Sequence, residues 1–411
     1  MTTGGSSYVA WVDYSEKERR EMLDVLSLFK QQGVLDELGI GTVRDALANV
    51  LFPGTSTIQT RLRYFLIVPW IYARVERRSW KGRTAASYAQ HVEGQVTESL
   101  KRKAPGAGVI GAEVGAAVQR PASDVYWQGV GRWRIRSFRG SRERYHRWLD
   151  RQRVTPFVDS TELSEPEDSE SPIERGSRWH SGLPEAPSAF PELESLNLLP
   201  IEAEYLKERI LAAAPRSLLA AFMTTDIPIA GAQFPWSVPG AGAAAPDLET
   251  VLRSAQDFSE CMYGAALLYN LLLARQFKGD LVETYQSRLA DWGEAMLSRT
   301  TPWQLGELWQ VVADAGRAPS SQTTTFIREW HRLVTEALSA QRSPAYLADD
   351  PGAHSLLRDR EWSIKGPRAR LDNKERGASW SGESGGAQLD FRWPVVARHI
   401  RDIREALGSS C

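Results

Sequence analysis

Apolar positions recur at helical spacing along most of the chain. In residues 39–75, Val43, Ala46, Leu47, Val50 and Leu51 fall at i, i+3, i+4, i+7 and i+8, which is one face of a helix. Pro53-Gly54 then stops that helix, because Pro lacks an N–H and Gly admits unusual backbone angles. Thr55, Ser56 or Thr57 is placed to cap a second helix by accepting from its free N–H groups. Ile58, Leu62, Phe65, Leu66 and Pro69 share a face of that helix, and Pro69 is expected to kink it or end it near Val68. The result is a helical hairpin apolar enough to centre a domain.

The same spacing predicts helices over 84–102, from 122 or 123 to 133, and over 141–151, 201–214, 217–224, 247–278, 281–297, 303–313, 323–339 and 395–407. Ser15 and Glu18 form a capping-box pattern before another helix that runs to residue 32. Residues 228–246 and 366–390 read as loops. Alternation of period two is scarce and no repeat is visible, so the fold class is mainly α.

Charge divides the chain. Residues 61–153 hold 20 Lys+Arg against 7 Asp+Glu, and residues 159–174 hold 7 acids and no base, although the whole chain sums to −1. Six prolines lie in 156–191 among Ser and Glu, a composition too polar to bury a core. Two helical domains are therefore expected. The first is basic (8–153), an acidic Pro-rich linker comes next (154–190), and the second domain covers 191–408. Within the linker, Ile173 and Trp179 are the residues apolar enough to dock locally. A length of 411 residues suits two domains.

Fifteen Trp supply large areas for well-filled cores. No apolar run reaches the roughly 18 residues of a membrane span, and residues 1–7 lack a signal pattern. Cys261 and Cys411 are the two cysteines, so no disulfide framework is implied. A reducing cytoplasm fits these features, with no membrane contact.

The run L-F-P-G-T-S-T-I-Q-T-R at 51–61, continued by Arg63-Tyr64-Phe65 and by V-P-W-I-Y at 68–72, resembles a bacterial family known only as a domain of unknown function. Residues 108–111 with Tyr126-Trp127, residues 263–273 and residues 389–393 carry the same resemblance, which spans nearly the whole chain. It implies no established activity. It also implies a setting beside bacterial phage-defence genes.

Residues 109–136 are compatible with a helix-turn-helix or winged-helix unit. A short helix over 109–119, a break at 120–122 and a second helix place Val114, Val118, Val125 and Val130 inward. Such a second helix can enter a major groove. Ser123, Asp124 and Gln128 would then face bases, while Arg132, Arg134, Arg136 and Arg139 neutralise phosphates, with Arg61 and Arg63 at the edge. Any two packed amphipathic helices give the same pattern, with the basic residues as a solvated face.

Other motifs match by letters alone. Residues 106–111 read G-x-G-x-x-G without the strand that phosphate cradling needs. Residues 382–386 read G-x-S-x-G around Ser384 without a preceding buried strand. Gly54-Thr55-Ser56-Thr57 at a helix start would suit an anion, or simple capping. Glu361 and Lys365 after Asp349-Asp350 mix acid and Lys as some nucleases do, at loose spacing. The six His show no paired metal-ligand spacing, and no cofactor is expected. The expected function is a non-enzymatic, DNA-associated accessory protein whose basic domain touches duplex DNA and whose second domain holds another protein of the same system. A helical protein–protein adaptor without DNA is the alternative, and an enzyme is a third reading with only letter matches behind it.

Overall fold

The computed structural model describes residues 36–77, 82–104, 108–111, 120–154, 178–299 and 303–408, apart from the side chains of 153 and 154, and contains no strand among them. The longer helices are α1 (Gly41–Leu51), α2 (Tyr64–Arg77), α3 (Ala85–Lys103), α4 (Ala122–Arg132), α5 (Arg142–Val154), α6 (Pro200–Ala213), α7 (Leu218–Thr224), α8 (Glu249–Phe277), α9 (Val282–Leu297), α10 (Leu305–Asp314), α11 (Ser321–Ser339), α12 (Pro351–Lys365) and α13 (Trp393–Leu407). A mainly α protein is what the apolar spacing predicts. The expected helix at 15–32 lies outside the described residues. No helix among them is long and apolar enough to cross a membrane.

The described residues form two units. Of the described residues, one gathers those within 36–42, Phe258–Leu305 and Pro319–Leu389; the other gathers those within Val43–Asp257, Gly306–Ala318 and 390–408. The second unit takes in residues on both sides of the expected linker. Much of that linker, 155–177, lies outside the described residues, but 178–190 are docked. Trp179 is buried against Tyr72, Trp127 and Tyr145. The carbonyl of Arg178 accepts from the Ser137 N–H at 2.9 Å, and the His180 N–H donates to Ile135 O at 2.8 Å. One large aromatic ring outweighs the polar composition around it.

In the second unit α2 begins at Tyr64, not near 55–57, and runs through Pro69 to Arg77. Pro69 removes one intrahelical N–H, yet every residue from Tyr64 to Tyr72 is buried, and packing holds the helix together across the proline. The segment between α1 and α2 is irregular, so its polar backbone must find partners elsewhere. Tyr126 supplies two of them. Its hydroxyl accepts from Thr60 N–H and donates to Arg61 O, both at 2.8 Å. Trp133 Nε1 donates to Pro53 O at 2.8 Å, and its ring stacks on Phe65 at 3.8 Å. Gly54 lies directly beneath that ring with φ +88°, and a Cβ there would stand 2.3 Å from Trp133 Nε1. The glycine is required by both angle and space.

Arg61 and Arg63 point inward from this segment. Arg61 Nε donates to both Asp402 oxygens at 3.0 and 3.2 Å, and its Nη2 donates to Asn197 at 2.8 Å. Arg63 donates to Glu202 at 2.7 Å and to Ser195 O at 2.8 Å. Burial pushes the Asp402 carboxyl up, against the opposing pull of the Leu62 N–H and Arg61. His399 on α13 is fully buried, and neither ring nitrogen has a hydrogen-bond partner among the described residues. Burial first, then the Arg61 charge, pushes it down to about 3, so the ring is neutral.

The first unit is built on the inner part of α8 with α9, α11 and α12. Trp292 Nε1 donates to Glu260 O at 2.8 Å and Trp330 Nε1 to Cys261 O at 2.9 Å. Both indoles thereby fill the core while satisfying their one donor. Apolar spacing does not predict α12, because two of its four buried residues, Ala353, Leu357, Arg360 and Glu361, are charged. Asp350 caps it through Ala353 N–H at 2.7 Å, and Pro351 starts it.

Arg61→Met should lower stability by about 3–5 kcal/mol, because Asp402 is left as a buried unpaired charge, whereas Arg61→Met with Asp402→Asn, which removes that charge and still accepts from the Leu62 N–H, should recover much of that loss; denaturant midpoints measure both. His399 stays neutral when folded but titrates near its ordinary value when unfolded. Its stabilising contribution is therefore complete above pH about 6.5 and declines as pH falls toward 3. His399→Leu should make the loss of stability between pH 6 and 5 smaller by on the order of 1 kcal/mol; an unchanged pH slope would refute this.

Candidate nucleic-acid interface

Helix α4 starts without a cap of its own. Pro121 occupies the cap position and offers no side-chain acceptor. Glu93, reaching across from α3, takes that role. Its carboxylate accepts from the Ser123 N–H and from the Ser123 hydroxyl, both at 2.9 Å. Arg142 at the start of α5 donates to the same hydroxyl at 2.9 Å. Burial pushes the Glu93 carboxyl up, partly offset by these bonds and by Arg142. Ser123 is thus a buried relay between α3 and α5.

Asp124, Gln128 and Arg132 lie at i, i+4 and i+8 and form the solvent face of α4. Its other face, with Val125, Tyr126, Trp127 and Val130, is buried. Gly129 lets the helix press against the Pro53-Gly54 turn, since a Cβ there would stand 2.6 Å from Gly54 O. Asp124 lies 3.7 Å from Arg142.

The end of α4 is a Schellman motif. Arg134 N–H donates to Gly131 O at 3.1 Å, and Ile135 N–H donates to Val130 O at 2.9 Å. Val130 and Ile135, the positions whose side chains pack together in such a motif, are both fully buried. The residue after the cap must be left-handed, and Arg134 adopts φ 55° there. Glycine normally fills that position. A side chain with a Cβ costs roughly 1–2 kcal/mol in this conformation.

The candidate residues separate into two groups. Arg136 turns inward over the Trp127 ring at 4.3 Å and donates to Trp127 O at 3.3 Å and to Phe138 O. Burial holds its guanidinium down to about 10. With Ser123, Arg61 and Arg63 it belongs to the interior, held by desolvated partners that an incoming phosphate would have to displace. Arg132, Arg134 and Arg139 are exposed and have no ion-pair partner among the described residues. Arg147 on α5, which the sequence pattern does not single out, is exposed in the same way. Its clue is the basic spacing of Arg144, Arg147 and Arg151, one helical face. Residues 112–119, where most of the expected first helix of a helix-turn-helix falls, lie outside the described residues, and 108–111 are not helical, with a turn at 110–111.

The letter motifs resolve into internal contacts. Ser384 is buried, its N–H donates to Asn270 at 2.9 Å, and its hydroxyl accepts from Arg370 at 2.8 Å. Glu361 and Lys365 do meet, at 2.7 Å. Glu361 also accepts from Tyr269 OH at 2.6 Å and from the Arg370 and Leu371 N–H groups, each at 3.0 Å. Burial raises this carboxyl, but Lys365 and the hydrogen bonds outweigh it and hold it below the usual range. Lys365 and Arg370 both bind Glu37, which makes a charge-balanced quartet. Such a carboxylate has its acceptors filled by the protein itself. The turn at 54–57 does not start a helix: Thr55 donates its hydroxyl to Phe52 O at 2.7 Å.

A family model described as a family of unknown function, DUF6361, matches residues 6–407, and the chain belongs to that family. No curated protein and no solved structure matches the chain.

Ser123→Ala should lower the melting temperature, since it strips the Glu93 carboxylate of one partner and Arg142 of another.

Proposed function

We propose that this member of DUF6361 is a DNA-associated accessory protein that lays the arginines at and beyond the end of α4 against duplex phosphates. Arg134 carries the proposal. A left-handed arginine is kept where glycine would relieve the backbone, and its side chain is exposed and unpaired among the described residues. Strain retained at an exposed cation favours a role outside the fold. Arg132, Arg139 and Arg147 supply further charge on the same two helices and the turn between them. Gln128, on the solvent face of α4, is the side chain suited to a base edge. The excess of basic residues over 61–153 supports attraction to a polyanion, even though part of it is consumed inside. A protein partner is a second reading for the first unit, where Trp362 on α12 is 50% exposed and aromatic anchors dominate interfaces.

Fluorescence anisotropy of the full chain on a short duplex, across a salt series, tests the first reading. Affinity should fall steeply with salt. Replacing Arg132, Arg134 and Arg139 by Ala should reduce the log–log slope by roughly 0.9 for each lost phosphate contact. Arg134→Gly should melt no lower than the parent and still bind more weakly. Salt-insensitive binding, or a full slope in the triple variant, rejects the proposal.

A further inference from the structure

A cavity of about 930 Å³ opens beside the Glu93–Ser123–Arg142 relay, all of it within the second unit. One wall is a stripe of α3 bearing Ala86, Gln90, Gly94 and Thr97, spaced at i, i+4, i+8 and i+11. The facing wall carries Tyr72, Ser123, Arg142 and His146. The volume is that of a site for a small organic molecule.

The hydrogen bonds on the second wall leave a definite surplus. Glu93 has both oxygens engaged by Ser123. Ser123 spends its proton on Glu93 and accepts from Arg142. Arg142 uses one N–H on Ser123 and meets Asp124 and Glu143 only at 3.7 Å, and its buried Nε has no hydrogen-bond partner among the described residues. His146 Nε2 lies 2.7 Å from the Tyr72 hydroxyl. Burial, then the Arg142 charge, holds this imidazole down to about 4, so it is neutral. Burial keeps the Tyr72 hydroxyl protonated. The unspent donors on this wall are those of Arg142, and they call for an acceptor oxygen carrying negative charge.

Gly94 adds an independent observation. It sits inside α3 with ordinary helical angles, and a Cβ built there meets nothing within 4 Å. Packing does not require this glycine. In a helix interior it is less stable than Ala by about 1 kcal/mol. It keeps the cavity wall open.

We propose that this cavity binds a phosphate-bearing small molecule of nucleotide size, with the phosphate on Arg142 and the remainder along the Gln90–Gly94 stripe. Isothermal titration of the full chain with AMP, pyrophosphate and citrate tests it. AMP should bind saturably and more tightly than pyrophosphate, which reaches only the phosphate position, and citrate should bind least. Gly94→Phe fills the space, and Arg142→Gln removes the charge. Each should weaken AMP at least about tenfold, the effect of one charged hydrogen bond or of lost access. Melting curves without ligand confirm that the variants fold. Ala86→Phe, at an exposed position on the same stripe, serves if Gly94→Phe does not. Absence of AMP binding, citrate in its place, or full affinity in a folded, cavity-filled variant would overturn the proposal. Duplex binding should be unchanged in Gly94→Phe, which separates this site from the arginines beyond α4.

Discussion

The second unit depends on an irregular segment that cannot satisfy itself. Between α1 and α2 the chain turns without a helix, and its peptide groups and two arginines must be met by side chains from far along the sequence. Asp402, Glu202, Asn197, Tyr126 and Trp133 meet them. Each partner is useful only where the others place it, so the segment and its surroundings form together. Buried ion pairs of this kind add little net stability over apolar packing, but each charge is costly without its mate. They select one arrangement among the ways that apolar helices can stack.

The same constraint explains why the most recognisable motifs of the chain are internal. Pro53, Gly54, Thr60, Arg61 and Tyr64 contact one another's partners: Trp133 on Pro53, Gly108 O on the Thr60 hydroxyl, and Ile110 N–H on Tyr64 OH. Arg392, from the stretch before α13, donates to Asn49 and to Thr55 O. Residues that read as a phosphate cradle or a phosphate clamp instead complete one another. Among the outward residues on α4 and beyond it, Gln128, Arg132, Arg134 and Arg139 carry the functional reading. Arg134 and Gly94 are informative for opposite reasons. One is a side chain where none is preferred, and the other is a missing side chain where one would fit.

Helix identity was legible in the residues because helical periodicity is local. Val125, Tyr126, Val130 and Trp133 point inward for the reason their spacing gives, and α3, α4, α5, α8, α9, α11 and α13 stand close to where it puts them. Local rules failed where a distant partner supplied what the segment lacked. Thr55 looked like a cap because a cap residue needs a helix directly after it, whereas residues 58–63 stay irregular, with Thr60 and Arg61 held by the Tyr126 hydroxyl. Pro69 looked like a terminus because its missing N–H is a local fact, while the burial that offsets it is not. Helix α12 was invisible because its inward residues Arg360 and Glu361 are charged, and only a neutralising surround lets charge stand in a core.

The sequence by itself therefore determined the mainly α class, the order and limits of most helices, the family, and the basic character of residues 61–153, because these depend on composition, neighbours and periodicity. Only the tertiary structure decided which arginines face solvent and which are interior, that Ser123 serves Glu93, and that Trp179 docks among Tyr72, Trp127 and Tyr145. Only it placed Arg142, His146 and Gly94 around one cavity. A charge's role depends on where its counter-charge lies, and residues 61 and 402 are neighbours in space alone.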